Sequence, residues 1–175
     1  RPALFAGLVV LAIVVTGLGV GVLAVNRAGA AAGPPRFSEE TAAAGLTVTY
    51  DGPLPYFAGG GVAAFDCDDD GRQELYVAGG VNPAALFHND SAIGGALRFR
   101  ALPDPITDAT GVTGAYPIDI DSDGNVDLVV LRIGPNAVLR GLGGCRFERV
   151  DDWGINGGDA ATMAFAATWE GMARL

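Results

Sequence analysis

The sequence is poor in the two residue types that most often build zinc sites and nucleophilic active sites. It contains a single histidine, His88, and two cysteines, Cys67 and Cys145. Two cysteines with one histidine do not make up the four ligands of a structural zinc site. His88 lies at the end of a predicted strand with no cysteine or serine pattern near it, so we expect it to be a structural or surface residue. The sequence therefore predicts no enzyme active site.

Basic residues are also few. The chain has 11 lysines and arginines against 20 acidic residues, which gives a net charge of −9. Proteins that bind nucleic acids neutralise phosphates with basic side chains, so we expect no nucleic-acid partner. The run Gly59-Gly60-Gly61 is not followed by Gly-Lys-Ser/Thr and precedes a predicted strand, which argues against a phosphate-binding loop.

One long apolar run stands near the start of the chain. Residues 3–25 contain no charged side chain, and about 20 apolar residues are enough to span a bilayer as a helix. The apolar region of a secretory signal usually has about 7–15 residues. We therefore predict a transmembrane anchor over residues 1–26, with a cleaved signal peptide as the alternative. Residues 27–35, rich in alanine, glycine and proline, are predicted to be a linker.

The clearest signal is a pair of acidic loops with the same spacing. Each loop has carboxylates at positions 1, 3, 5 and 9, a glycine at position 6 and a leucine at position 10. The carboxylates of the first loop are Asp66, Asp68, Asp70 and Glu74. Those of the second loop are Asp119, Asp121, Asp123 and Asp127. Position 7, Arg72 or Asn125, offers a backbone carbonyl.

This arrangement predicts two calcium sites. Alternate carboxylates converge when the chain wraps tightly, and the glycine permits the sharp turn. A flexible cage made only of oxygen ligands suits calcium better than a softer or smaller ion. Carboxylates about 4 Å apart repel each other by roughly 1 kcal/mol in water, and a bound cation removes that cost. The alternative is a solvated acidic turn that holds no ion.

The flanks of the loops indicate strands. An EF-hand needs a bidentate glutamate at position 12, where this chain has Val77 and Val130. Short runs of β-branched and aromatic residues enter and leave each loop, as is typical of strands. The loop glycines Gly71 and Gly124 are 53 residues apart, and a period of about 50 residues with four short strands is typical of a propeller blade.

This pattern predicts blades over about residues 58–102 and 112–150, and an incomplete third from residue 158. In the third, Gly171 takes position 6 and residues 160–165 form the entering strand. Ala166 and Thr168 then replace the first two carboxylates, so we expect no ion there. Propellers usually close with four to eight blades, so we expect the chain to be the N-terminal part of a longer protein.

The glycine-rich segment Gly59–Asp66, together with the two strand–loop–strand units, resembles the FG-GAP or VCBS-type repeats of integrin-α-like β-propellers. The resemblance covers residues 37–175 and implies a mainly β chain that forms part of a propeller. It also implies structural calcium that ties the first two strands of each blade together. The implied role is ligand binding, adhesion or surface assembly, with a protein or carbohydrate as the ligand. The alternative is the non-catalytic N-terminal part of a larger secreted or surface enzyme.

The calcium prediction also bears on location. Loops of this class hold calcium where the free ion is near millimolar, so we expect the repeats to lie outside the cytosol. They would be anchored to the membrane, or secreted if the N-terminal segment is cleaved. A disulfide between Cys67 and Cys145 is chemically allowed there, but the sequence does not decide whether the two cysteines are bridged.

Overall fold

The protein is described by a computed structural model that covers residue 34 and residues 36–168. The predicted membrane helix over residues 1–26 and nearly all of the predicted linker lie outside the described residues. Within the described part, one 3-10 turn, Tyr56–Ala58, is the only helical element. No helix there has the length and apolar character needed to cross a bilayer.

Eight strands form two four-stranded sheets. All of them belong to the second of the two compact units of the chain, Glu40–Leu175. Neighbouring strands in each sheet are antiparallel and follow one another in sequence, with the orders β1-β2-β3-β4 and β5-β6-β7-β8. The prediction of a mainly β chain is confirmed. The strands are β1 Val62–Phe65, β2 Glu74–Val77, β3 Ala85–Asn89, β4 Phe99–Ala101, β5 Val112–Ile118, β6 Asp127–Arg132, β7 Ala137–Gly141 and β8 Phe147–Val150.

The two sheets differ in how their second strands are buried. In β2 the residues alternate between buried and half-buried, as expected for a strand that is fully covered on one face. In β6 every residue from Asp127 to Leu131 is buried. The apolar residues Leu128–Leu131 are therefore all buried, with no alternation between buried and exposed positions. This is the pattern of a strand that is covered on both faces.

The sheets meet along their first strands. The N–H groups of Gly60 and Gly61 both donate to the carbonyl of Thr113, at 3.1 and 3.0 Å. A Cβ atom on Gly61 would lie 3.0 Å from the Cα of Gly114. The glycine-rich entry to β1 is therefore explained by close backbone approach, because a larger residue would push β1 away from β5.

A shared core fills the space between the sheets. The rings of Phe65 in β1 and Phe147 in β8 meet edge to face, with centroids 6.2 Å apart. Tyr76 of β2 and Leu128 of β6 belong to the same cluster and are almost completely buried. Burial of this kind is worth about 1.5–3 kcal/mol for each large apolar side chain, so the contact between the sheets is a main source of stability.

A disulfide joins the two sheets. Cys67 lies at position 2 of the first acidic loop, and Cys145 lies in the turn between β7 and β8. Their Cα atoms are 4.8 Å apart and they are bonded, which settles the question that the sequence left open. Beside the bridge, the N–H of Cys145 donates to the carbonyl of Cys67 at 3.1 Å. The first acidic loop is therefore tied directly to the second sheet.

The predicted third entering strand is not formed within the described residues. Residues 160–165 contain only one isolated bridge, between Ala161 and Ile133. The N–H of Thr162 donates to Arg132, but its carbonyl accepts the hydroxyl of Thr113 at 2.6 Å. These contacts attach the segment to β5 and β6 without forming a strand ladder. The rest of the predicted third loop, from residue 169, lies outside the described residues.

Loss of the disulfide is expected to destabilise the fold. The bridge closes a long loop, since its cysteines are 78 residues apart, and removing such a link typically costs about 2–5 kcal/mol. The double variant Cys67→Ser/Cys145→Ser should show this loss in the free energy of unfolding, measured by urea titration. As a control, adding reductant should lower the stability of the parent protein and leave that of the double variant unchanged. A loss of less than about 0.5 kcal/mol, the usual size for a neutral surface change, would contradict this prediction.

Candidate metal centres

Each acidic loop connects the first strand of a sheet to the second. Residues 66–73 link β1 to β2, and residues 119–126 link β5 to β6. At position 4, Asp69 and Ser122 share a φ of 61°, in the left-handed region that aspartate tolerates better than most residues. At position 6, Gly71 and Gly124 have φ values of 81° and 89°. The two loops thus take the same turn, and the glycines are needed for their backbone conformation.

The position 1 carboxylates organise the turn by accepting backbone N–H groups. Asp66 accepts the N–H of Asp70 at 3.2 Å and that of Gly71 at 2.8 Å. In the second loop Asp119 accepts the equivalent N–H groups, of residues 123 and 124, at 3.2 and 3.0 Å. Each loop therefore folds back over its first carboxylate, which places the alternate acidic side chains on the inside.

The position 5 carboxylates hold the next turn. Asp70 accepts the N–H of Arg72 at 2.8 Å, and Asp123 accepts that of Asn125 at the same distance. The guanidinium of Arg72 also pairs with Asp70. The N–H of Asn125 lowers the pKa of Asp123. Position 5 is therefore held in its charged form in the second loop.

The position 9 carboxylates are fully buried and tie each loop to the third strand of its sheet. Asp127 accepts the N–H of Ile120 on one oxygen and that of Gly141 on the other, both at 2.8 Å. Glu74 makes the equivalent contacts with the N–H of Cys67 at 2.9 Å and that of Asn89 at 3.4 Å. The glutamate in the first loop thus takes the same structural role as the aspartate in the second.

Burial makes both of these carboxylates reluctant to ionise. It raises the pKa of Glu74 and of Asp127 above their ordinary values, although the backbone N–H groups act in the opposite direction. Neighbouring carboxylates add to the rise, from Asp68 in the first loop and from Asp121 and Asp123 in the second. Both loops therefore concentrate negative charge that nearby cationic groups only partly offset.

The structure brings together most, but not all, of the predicted ligands. Three-member groups whose ligand atoms lie within 4.8 Å of one another occur in both loops. The first loop has two such groups and the second has one. The two groups of the first loop are Asp66 with Asp68 and Asp70, and Asp68 with Glu74 and His88. The group of the second loop is Asp119, Asp121 and Asp127. Asp123 is not in the second loop's group, and the carbonyls of Arg72 and Asn125 stay predictions. Cys67 and Cys145 also lie beside Glu74, but their sulfur atoms are committed to the disulfide.

One oxygen in the first loop fits a hard cation particularly well. Asp68 Oδ1 is buried, and no described group hydrogen-bonds to it. A buried carboxylate oxygen without a partner costs free energy. Because the same side chain belongs to both groups of the first loop, a cation there would complete its coordination. The donor set of carboxylates is the kind that calcium prefers.

Two basic residues of the site were not predicted from the sequence. His88 Nε2 lies 3.0 Å from Asp68 Oδ2, and its Nδ1 lies 2.7 Å from Asp90. Burial alone would lower the pKa of His88, but its hydrogen bonds to these two carboxylates raise it overall. Arg140 contacts Asp121 at 2.8 Å and Asp123 at 3.1 Å. The available signal was that the segments forming β3 and β7 each carry a basic residue next to their last residue.

Comparison with known families supports the repeat assignment. Residues 66–130 match the family model of the FG-GAP-like repeat. The matched segment begins at the first carboxylate of the first loop, contains the whole of the second loop and ends within β6. The match is consistent with an FG-GAP repeat protein, and the resemblance predicted from the sequence is confirmed over these residues. No curated protein matches the chain.

The buried position 9 carboxylate should stabilise the fold even without metal. In Asp127→Asn one of the two carboxylate oxygens becomes an NH2 group, which faces a backbone N–H donor and leaves it unpaired. An unsatisfied buried donor costs about 1–3 kcal/mol. The free energy of unfolding, measured by urea titration in the presence of chelator, should fall by that amount.

The matched control is Asp69→Asn. It makes the same chemical change at an exposed position, and asparagine also tolerates the left-handed backbone found there. Its effect should stay within about 0.5 kcal/mol. Equal losses in the two variants would show that Asp127 does not have this structural role.

Proposed function

We propose that this chain is part of a calcium-stabilised β-propeller module that binds a ligand outside the cytosol. The observation that carries the proposal is the shared geometry of the two loops. Both have the same left-handed positions, the same hydrogen bonds to carboxylates 1 and 5, and the same buried carboxylate 9. A solvated acidic turn has no need to keep every one of these features in two copies.

Calcium would have a structural role in this module. In the first loop Asp66, Asp68, Asp70 and Glu74 would hold the ion, and in the second Asp119, Asp121, Asp123 and Asp127 would do so. The carbonyls of Arg72 and Asn125 would complete each set. The ion would supply positive charge where the carboxylates repel one another, and so would hold the first strand of each blade against the second.

The propeller part of the proposal follows from the sheets. Each is a four-stranded antiparallel unit with its strands in sequence order, which is the arrangement of a propeller blade. The first strands of the two units lie side by side and their faces share a core, as adjacent blades require. The FG-GAP-like match covers parts of both sheets and the segment that connects them. Further blades would close the ring.

The location and anchor rest on sequence. Loops that need near-millimolar calcium work outside the cytosol, and a disulfide also persists there. The uncharged run over residues 3–25 would anchor the module in a membrane with the repeats outside the cell or in the periplasm. This arrangement suits adhesion, ligand binding or surface assembly.

We further propose that this part of the chain is not catalytic and that its ligand is a protein or a carbohydrate. The acidic residues that could serve as an acid–base pair are taken up by the two loops. The single histidine is held between Asp68 and Asp90, so it is not free to act on a substrate. Binding specificity in such a module would come from the connecting loops, because a fold by itself does not set the partner.

Calorimetry tests the calcium proposal directly. Titration of calcium into the purified protein should give two sites, and calcium should be preferred over magnesium. A third site is not expected, because Ala166 and Thr168 replace two carboxylates in the third loop. A count of zero, a count of three or a preference for magnesium would overturn the assignment.

Two variants separate ligand loss from a general charge effect. Asp121→Ala removes the position 3 ligand and should reduce the count to one site, with a smaller rise in melting temperature on adding calcium. Asp69→Ala removes an exposed carboxylate at position 4 and should keep both sites. If both variants lose calcium binding equally, the predicted positions of the ligands are wrong.

A further inference from the structure

The two sheets place a basic side chain at the same point beside each acidic loop. His88 and Arg140 are the residues immediately before Asn89 and Gly141, whose N–H groups are bound by the position 9 carboxylates. Each base contacts Oδ2 of its own position 3 aspartate, at 3.0 Å for His88 and 2.8 Å for Arg140. His88 and Arg140 therefore occupy equivalent positions, each on the third strand of its sheet.

The contacts of Arg140 are more extensive than those of His88. One nitrogen of its guanidinium lies 2.8 Å from Asp121 and 3.1 Å from Asp123, and another lies 3.8 Å from Glu148. Arg140 thus pairs with two of the four carboxylates of the second loop. Its charge is fixed, because a guanidinium does not lose its proton in proteins.

The two loops differ in the surroundings of the position 5 aspartate. In the first loop Asp70 lies with Asp66 and Asp68 in a converging group. In the second loop the equivalent Asp123 lies outside the converging group, with one oxygen on Asn125 and the other on Arg140. The second oxygen of Asp123 is therefore paired with Arg140 of the third strand, whereas Asp70 pairs with Arg72 of its own loop and stays in the converging group.

We propose that Arg140 is a tethered counter-ion that competes with calcium for Asp121 and Asp123 and so weakens the second site. This inference rests on the proposed calcium function. The guanidinium offsets the repulsion between the two carboxylates. To bind Asp123, calcium must break its ion pair with Arg140. The ion must also bind close to the positive charge of the guanidinium. The second site is therefore tuned to fill at a higher calcium concentration than its carboxylates alone would set.

Removing the positive charge should strengthen the second site. Arg140→Met keeps a long side chain over the sheet and loses both ion pairs. Two unit charges about 4 Å apart interact by about 1 kcal/mol in water, and by more near a protein surface. Since a factor of ten in affinity corresponds to about 1.4 kcal/mol, we expect the dissociation constant for calcium to fall about tenfold.

To measure the calcium affinity of the second loop, binding by the first loop must be removed. In a full-chain background with Asp68→Asn and Asp70→Asn, the first loop loses two of its four carboxylates and calorimetry reports the second loop. In that background Arg140→Met and Arg140→Gln should both bind calcium about tenfold more tightly. Arg140→Lys, which keeps the charge, should stay within about threefold of the unmodified second loop. Use of two neutral variants guards against an effect of one particular side chain on folding.

The matched control is Arg149→Met in the same background. Arg149 also lies in the second sheet, but it pairs with Asp151 at 2.7 Å and contacts neither acidic loop in the described part of the chain. The Arg149→Met variant removes the same charge and should change the calcium affinity of the second loop by less than about twofold. A similar gain from Arg149→Met would show a general charge effect and would overturn the competition.

The two proposals fail in different ways. If the parent protein binds no calcium, the proposed function fails and the inference falls with it. If calcium binds the second loop but Arg140→Met leaves the affinity unchanged, only the inference is overturned. A weaker site in Arg140→Met would also overturn it, since that result would mean that the arginine orients Asp121 for the ion.

Discussion

The two sheets of this protein depend on a buried carboxylate at the ninth position of each loop. Glu74 and Asp127 are both completely buried, and each accepts one N–H from its own loop and one from the third strand. A charged group without partners would be costly in that position. Because the N–H groups come from two different segments, a single side chain fixes both the loop and the strand beside it.

The buried ninth carboxylate also increases the negative charge that each loop must offset. Burial raises the pKa of the ninth carboxylate, and neighbouring carboxylates add to the rise, Asp68 in the first loop and Asp121 and Asp123 in the second. The structure offsets this charge with backbone N–H groups and with His88 or Arg140 on the third strand. In the first loop one oxygen of Asp68 still has no described partner. A bound cation is the simplest group that would complete this balance, and the proposed calcium function follows from it.

The first loop has a further constraint that the second lacks. Its position 2 residue is Cys67, which is bonded to Cys145 in the turn between β7 and β8, whereas the second loop has Ile120 there. The N–H of Cys67 is also the loop partner of the buried Glu74. Metal binding in the first loop would therefore act on a segment that already joins the two sheets. The close approach of Gly61 to Gly114 is a second contact of the same junction.

Much of the architecture could be predicted from local sequence signals. The spacing of acids around Gly71 and Gly124 placed both loops, and the alternation of short apolar runs placed strands on either side of them. Both signals act over a few residues, so each is visible in a linear sequence. The glycine-rich entry before β1 was also visible, although its reason, the contact with Gly114, was not.

What only the tertiary structure decided concerns groups that are distant in sequence. The pairing of Cys67 with Cys145, the contacts of His88 and Arg140 with the loops, and the buried position of Glu74 all depend on how strands stack. The expected strand over residues 160–165 is only one isolated bridge, and the carbonyl of Thr162 accepts the hydroxyl of Thr113. A sequence sets the spacing of ligands along a chain by local geometry. It does not set which oxygen each ligand turns towards an ion, because that depends on the cations and N–H groups that folding brings beside it.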